Sequence, residues 1–173
     1  MTKRRVLALL IVLLVCLCGL AAAETAQDIS KQCTFSIGGK TKNAKKLLDR
    51  DYETYFQLQK GKELVIGADG KELGGLYLQH YDRAASVEIE AEVGGAWTSV
   101  GTGGIHMSDW FALPEGATGA RIRNTDKKRV FIAELTVFGA GEKPADVPEW
   151  QDAEKADLML LVAHPDDELL WFG

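Results

Sequence analysis

The chain has 173 residues, a formal net charge of −5, 46% hydrophobic residues and three cysteines. The charges alternate in sign and no basic stripe or Lys/Arg cluster appears beyond the first few residues, which excludes a nucleic-acid partner. Three cysteines, two of them inside the N-terminal apolar run, also exclude a disulfide-built scaffold. The length is enough for one domain and the beginning of another.

Residues Thr2-Lys3-Arg4-Arg5 form a short basic segment. An apolar run follows from Val6 to Leu20, then Ala21-Ala22-Ala23 before Glu24. This three-part pattern is that of a secretory signal peptide cleaved near Ala23. The run is too short for a comfortable membrane span, so no stable membrane anchor is expected and the mature protein is expected to be extracellular. Cleavage removes Cys16 and Cys18. Cys33 then remains alone, ahead of an apolar alternation, as a small buried hydrophobe rather than a reactive thiol.

From Cys33 to Gly139 the patterning is strand-like. Glu63–Gly67 and Gly74–Gln79 are candidate strands. Residues 86–93 alternate with a period of two, with Val87, Ile89, Ala91 and Val93 inward and three glutamates outward. Gly94-Gly95 reads as a hairpin turn, and Trp97–Val100 returns. Ala120–Arg123 alternates again, and Val130–Phe138 is a longer strand rich in β-branched and aromatic residues. Short strands with Gly punctuation predict a mainly β sandwich or barrel over residues 27–140. The Pro- and acid-containing stretch from Glu142 to Glu149 predicts a linker over residues 141–156.

Four stretches of this β-rich region carry a resemblance: residues 46–56 (KLLDRDYETYF), Gly75-Leu76-Tyr77-Leu78, Gly95-Ala96-Trp97, and residues 132–139 (IAELTVFG). In order and spacing they resemble the discoidin, or F5/8 type C, family of jelly-roll β-sandwiches, which includes carbohydrate-binding modules. The resemblance implies a structural calcium held by Asp49, Thr54 and Glu134 together with loop carbonyls, including that of Asp51. Arg50 stands where the family has Gly. A positive φ there would disfavour Arg, and a fixed positive charge beside calcium would count against the site. The alternative is a plain turn with Thr54 capping locally and Glu134 pairing with an Arg. For a surface glycan, the aromatic and polar candidates are Trp97, Trp110, Tyr81, Tyr52 and His106, with Trp110 and His106 favoured because they fall in a stretch that begins as a loop. The competing role for the tryptophans is core packing.

The last stretch is an apolar run, Leu158–Ala163, followed by His164-Pro165-Asp166-Asp167-Glu168. A short run without alternation reads as a strand buried on both faces of a parallel sheet. The polar cluster then lies past its carboxyl end, where open α/β sheets place ligands. The six residues Ala163–Glu168 resemble the zinc-binding signature of the PIG-L (LmbE-like) de-N-acetylases. The resemblance implies the first strand of a Rossmann-like α/β domain over residues 157–173, with His164 and Asp167 as zinc ligands and Asp166 as general base. The substrate implied is an N-acetylated amino sugar or its conjugate. The alternative is that the acids cap a following helix. The family's third zinc ligand and its oxyanion-stabilising His lie far downstream of this motif, so the sequence reads as the front of a longer secreted enzyme, inactive as it stands. A non-catalytic glycan-binding module carrying a remnant of the motif is the competing reading.

Overall fold

The computed structural model describes residues 24–150. The expected signal peptide and the motif containing His164, Asp166 and Asp167 lie outside the described residues. Ten strands follow in order: β1 (Thr34–Ile37), β2 (Lys40–Thr41), β3 (Phe56–Leu58), β4 (Glu63–Gly67), β5 (Leu73–His80), β6 (Val87–Val93), β7 (Ala96–Gly103), β8 (Ser108–Ala112), β9 (Ala117–Asn124) and β10 (Val130–Gly139). Two short 3₁₀ turns, Ser30–Gln32 and Lys45–Leu47, are the only helical elements among the described residues.

The strands form a six-stranded sheet in the order β2-β1-β4-β9-β6-β7 and a four-stranded sheet in the order β3-β10-β5-β8. Every pairing within the two sheets is antiparallel. The mainly β sandwich expected from the alternation is therefore the observed architecture. Its core lies between the inner faces, where Leu64, Ile66, Val87, Ile89 and Ile122 of the large sheet meet Leu76, Leu78, Ile132, Leu135 and Val137 of the small one.

Local sequence accounts for much of this. In β6, Val87, Ile89 and Ala91 are fully buried while Glu88, Glu90 and Glu92 face outward. Gly94 and Gly95, with φ of 59° and 81°, make the tight turn that pairs Val93 with Ala96; left-handed φ at both positions is what a two-residue hairpin needs. A second glycine position is fixed by packing rather than by φ. A Cβ on Gly75 would lie 2.2 Å from Trp110 Cη2, so the indole of β8 lies directly over the backbone of β5.

One irregularity matters for function. In β10 the register slips between Ile132, opposite His80, and Glu134, opposite Gln79. A bulge of this kind re-aims side chains. It turns Glu134, Thr136 and Phe138 onto the outer face of the small sheet while Leu135 and Val137 stay in the core.

Sequence patterning passed over β1, β2, β3 and β8. The start of the 103–110 stretch is a loop, as expected, but Ser108 onward is strand paired to β5. The described part of the expected linker is fastened to the sandwich. The Ala26 amide donates to the Glu142 carbonyl at 2.9 Å, and the Glu142 amide to the Glu24 carbonyl at 2.9 Å. Val147 is buried with Ala26, Tyr77 and Phe138, and Lys143 pairs with Glu149 at 3.2 Å. Cys33 is half-buried against the core, and burial, aided by the nearby Asp28 and Asp69 charges, pushes its thiol up to about 11. It stays protonated, as a small hydrophobe does.

Candidate functional site

Three surface regions hold the groups that could bind a ligand. The first is the loop of residues 49–54. The Thr54 hydroxyl donates to Asp49 Oδ2 at 3.0 Å, and the Asp51 amide to Asp49 Oδ1 at 3.1 Å. Glu134, only 4% exposed, reaches this loop from β10 and accepts the Arg50 amide. Its carboxyl is raised above the ordinary range, first by burial and then by the Asp49 charge, against the pull of the Arg50 and Asp51 amides. Arg50 does take a left-handed φ of 57°. Its guanidinium, however, is 82% exposed and turns away to Asp28 Oδ2 at 3.4 Å.

The structure thus brings Asp49, Thr54 and Glu134 to one place. These are hard oxygen donors of the kind calcium takes, and a cation would relieve the repulsion between two neighbouring carboxylates, one of them buried. Among the described residues no group of three His, Cys, Asp or Glu side chains is placed to hold a metal. A cation here would depend on the Thr54 hydroxyl and loop carbonyls as well.

The second region contains the two favoured sugar-binding residues. Trp110 lies on the outer face of the small sheet, half-buried, against Gly75 and edge-on to Phe138 at 5.3 Å. Packing accounts for its position. His106 pairs with Asp109 at 3.1 Å, and one ring face is stacked on Trp150 at 5.1 Å with the planes 10° apart. Trp150 also reaches Ser108 Oγ at 3.4 Å. The two residues therefore do not form a joint open platform. Trp97 lies on the outer face of the large sheet beneath the Arg121 guanidinium, 4.5 Å away.

The third region is at the loop end of the sandwich, away from the paired segments near Glu24 and Glu142. Tyr55 precedes β3, Tyr81 follows β5 and Phe131 opens β10. Tyr55 lies 4.7 Å from Tyr81 and 4.8 Å from Phe131, and the Tyr81 amide donates to the Phe131 carbonyl at 3.0 Å. Tyr55 and Tyr81 are each 36% exposed. With Asp82 they line a hollow of about 110 Å³. Lys46 lies over Tyr55 at 5.4 Å and Arg129 over Phe131 at 5.5 Å.

The loops beneath this cluster are braced. Arg83 makes a two-pronged bond to Asp126, at 3.0 and 3.2 Å. Asp126 also accepts the Lys128 and Ser86 amides, and these contacts, the Arg83 bond foremost, hold its carboxyl well below the usual range. Buried Asn124 ties the Leu58 and Lys128 carbonyls together at 2.9 and 3.0 Å. Exposed aromatic rings ringed by charged and polar side chains on a rigid frame suit a ligand with one apolar face and a hydroxylated rim. Tyr81 was among the aromatic candidates in the sequence. Tyr55 and Phe131 were missed because their cluster is assembled from three separated segments.

No family model and no curated protein matches the chain. Solved structures do. The family 32 carbohydrate-binding module of Clostridium perfringens NanJ, in complex with galactose, is similar with a TM-score of 0.53 and 18% identity, over 66% of this chain and 98% of that one. Module CpGH89CBM32-6, produced by Clostridium perfringens, gives 0.52 and 14%, over 66% and 100%. CpGH89CBM32-5 from the same organism, in complex with GalNAc-β-1,3-galactose, gives 0.52 and 12%, over 65% and 99%. These likenesses define the class of fold, a discoidin-like β-sandwich of the kind found in family 32 carbohydrate-binding modules.

Proposed function

We propose that residues 24–150 are a glycan-binding module and that its sugar site is the loop-end cluster of Tyr55, Tyr81 and Phe131. The observation that carries this reading is the exposed aromatic cluster itself, held on braced loops and flanked by Lys46, Asp82 and Arg129. The rings supply an apolar face for the C–H side of a sugar, and the flanking groups reach its hydroxyls. The fold agrees with this role, since similar structures include modules in complex with galactose and with GalNAc-β-1,3-galactose. The Asp49, Thr54 and Glu134 cluster is proposed to hold calcium as a structural ion that fixes the 49–54 loop. Removing it by chelation is expected to lower the melting temperature, and an unchanged value would dismiss the ion.

The module is proposed to serve a secreted zinc-dependent de-N-acetylase of PIG-L type that acts on an N-acetylated amino sugar or glycoconjugate. In that reading His164 and Asp167 would hold the zinc and Asp166 would act as general base; zinc would supply a lowered pKa for a water. In the longer enzyme, Asp166→Asn is expected to abolish turnover with zinc retained, and His164→Ala to lose zinc.

The binding reading is tested on a glycan array with wild type and Tyr81→Ala. Saturable binding to a defined set of glycans, lost in the variant, is the expected result. Binding that survives Tyr81→Ala unchanged would move the site elsewhere.

A further inference from the structure

A second concavity lies on a different surface. The outer face of the four-stranded sheet carries a cleft of about 450 Å³. That volume falls within the roughly 300–1,000 Å³ typical of small-molecule sites. Its floor is the sheet itself: Tyr77 stands opposite Thr136, and Gln79 opposite Glu134, in the β5–β10 ladder. The β10 bulge turns Glu134 and Thr136 outward beside Tyr77 and Gln79, which the regular alternation of β5 already places on that face.

The walls come from outside the sheet. Gln27 and Asp28 form one wall, Pro144 and Asp146 another, and Tyr52 stands at the rim with 58% of its surface exposed. Both walls are fixed in place. The Ser30 hydroxyl and amide donate to Asp28 Oδ1 at 2.6 and 2.9 Å, and the Gly139 amide donates to the Gln27 carbonyl at 3.0 Å. On the other side Lys143 Nζ donates to the Val147 carbonyl at 2.9 Å, and the Val147 amide to the Pro144 carbonyl at 3.1 Å. A cleft already formed spares a ligand the cost of ordering it.

We propose that this cleft is a second binding site, for a neutral saccharide unit. Gln79 and Thr136 offer both donors and acceptors from the floor. Tyr52 offers a ring face at the mouth, and Asp28 and Asp146 offer acceptors for hydroxyl groups. The charge balance sets the sign of the selectivity. Arg50, the one cation lining the cleft among the described residues, is already paired with Asp28 at 3.4 Å, so an acidic sugar finds no uncommitted cation there. Such a site would make the module bivalent, and two weak sites on one body raise avidity without any new contact. The inference extends the glycan-binding reading but stands apart from the loop-end cluster, with which it shares no residue.

The test is an amide-resolved NMR titration of the protein with galactose, N-acetylglucosamine and glucuronate. A neutral sugar is expected to shift the amides of Gln79, Thr136 and Tyr52, and glucuronate to leave them in place. Tyr81→Ala is expected to leave the cleft shifts intact while removing those at Tyr55 and Phe131. Thr136→Tyr, which fills the floor, is expected to remove only the cleft shifts. Should that variant fold poorly, Tyr52→Ala at the exposed rim is expected to weaken cleft binding about tenfold, close to 1.4 kcal/mol. Cleft amides that do not move with either neutral sugar up to its solubility limit would overturn the proposal. So would cleft shifts that disappear together with the loop-end shifts in Tyr81→Ala. Cleft shifts in the wild type with no shifts at Tyr55, Tyr81 or Phe131 would overturn the first site and leave the second.

Discussion

The outer faces of the two sheets meet water in different ways. On the six-stranded sheet, Glu63, Arg123 and Glu88 lie side by side across β4, β9 and β6, as do Val65, Arg121 and Glu90 one step along. Arg121 donates to both oxygens of Glu90 at 2.6 and 2.8 Å, and Arg123 adds a third bond at 2.9 Å. The charges satisfy one another, and Trp97 is covered by Arg121. On the four-stranded sheet the same alternation turns Gln79 and Thr136 into a walled cleft, beside the buried ring of Tyr77. One exterior is saturated by its own cross-strand pairs, and the other presents polar groups in a concavity. A β-sandwich can hold ligands on whichever surface its charges leave uncommitted.

The largest way to break the comparison is to damage the core that both faces share. Leu135, 1% exposed, is in the core opposite Leu78. Leu135→Ala is expected to cost about 2–5 kcal/mol in denaturant unfolding, with both exteriors lost together. A cost well below 1 kcal/mol would mean that the two sheets are not packed as described.

His80 comes next. It is 5% exposed, and among the described residues neither ring nitrogen has a hydrogen-bond partner. Burial lowers its pKa from the ordinary 6.5, with Arg83 acting in the same direction and Asp109, Asp82 and Asp126 against it. The folded state therefore favours the neutral ring. The stability it allows is full above pH 6.5 and is lost as pH falls toward the depressed folded value. His80→Leu is expected to flatten this part of the melting curve against pH. It is also expected to hold or raise stability at neutral pH, because leaving buried polar groups unmade costs roughly 1–3 kcal/mol.

Arg121→Ala tests the saturated face. It leaves Glu63, Glu88 and Glu90 close together and is expected to cost roughly 1–2 kcal/mol. Glu90 is held below its ordinary 4.5, mainly by the Arg121 hydrogen bond. Its contribution is present above pH 4.5 and is lost as pH falls through the depressed value, and the variant should lose that dependence. Glycan binding at the loop end should be unchanged.

The smallest effect concerns Arg50 beside the cleft. A non-Gly residue at positive φ costs roughly 1–2 kcal/mol, offset by the added chain entropy of Gly and a weak exposed ion pair with Asp28. Arg50→Gly is expected to raise stability by about 0.5–1 kcal/mol in thermal melts. A clear loss would show that Arg50 does more than hold the turn.

Much of the fold was legible in the sequence where patterning is local. The alternation of residues 87–93 with Gly94-Gly95, and the long apolar β10, announce themselves within a few residues. The strands that were missed are short or are set by their partners: β8 is a strand because β5 holds it, and β3 because β10 does. The oxygen cluster of Asp49, Thr54 and Glu134 could be placed only through a family resemblance, because Glu134 turns outward by a bulge that leaves no mark in the sequence. The preference for Trp110 rested on a residue type that suits sugars, but a glycine 35 positions earlier gives that ring a packing place. The aromatic cluster was hidden for a related reason. Tyr55, Tyr81 and Phe131 belong to three segments that only the sheet order brings together.

The most direct test of the central claim is a crystal structure of the protein with the strongest glycan found on the array. The account predicts density for a sugar ring against Tyr55 and Tyr81, within reach of Asp82 and Lys46. A sugar bound instead on the charged ladder of Arg121 and Glu90, with the loop end empty, would contradict it.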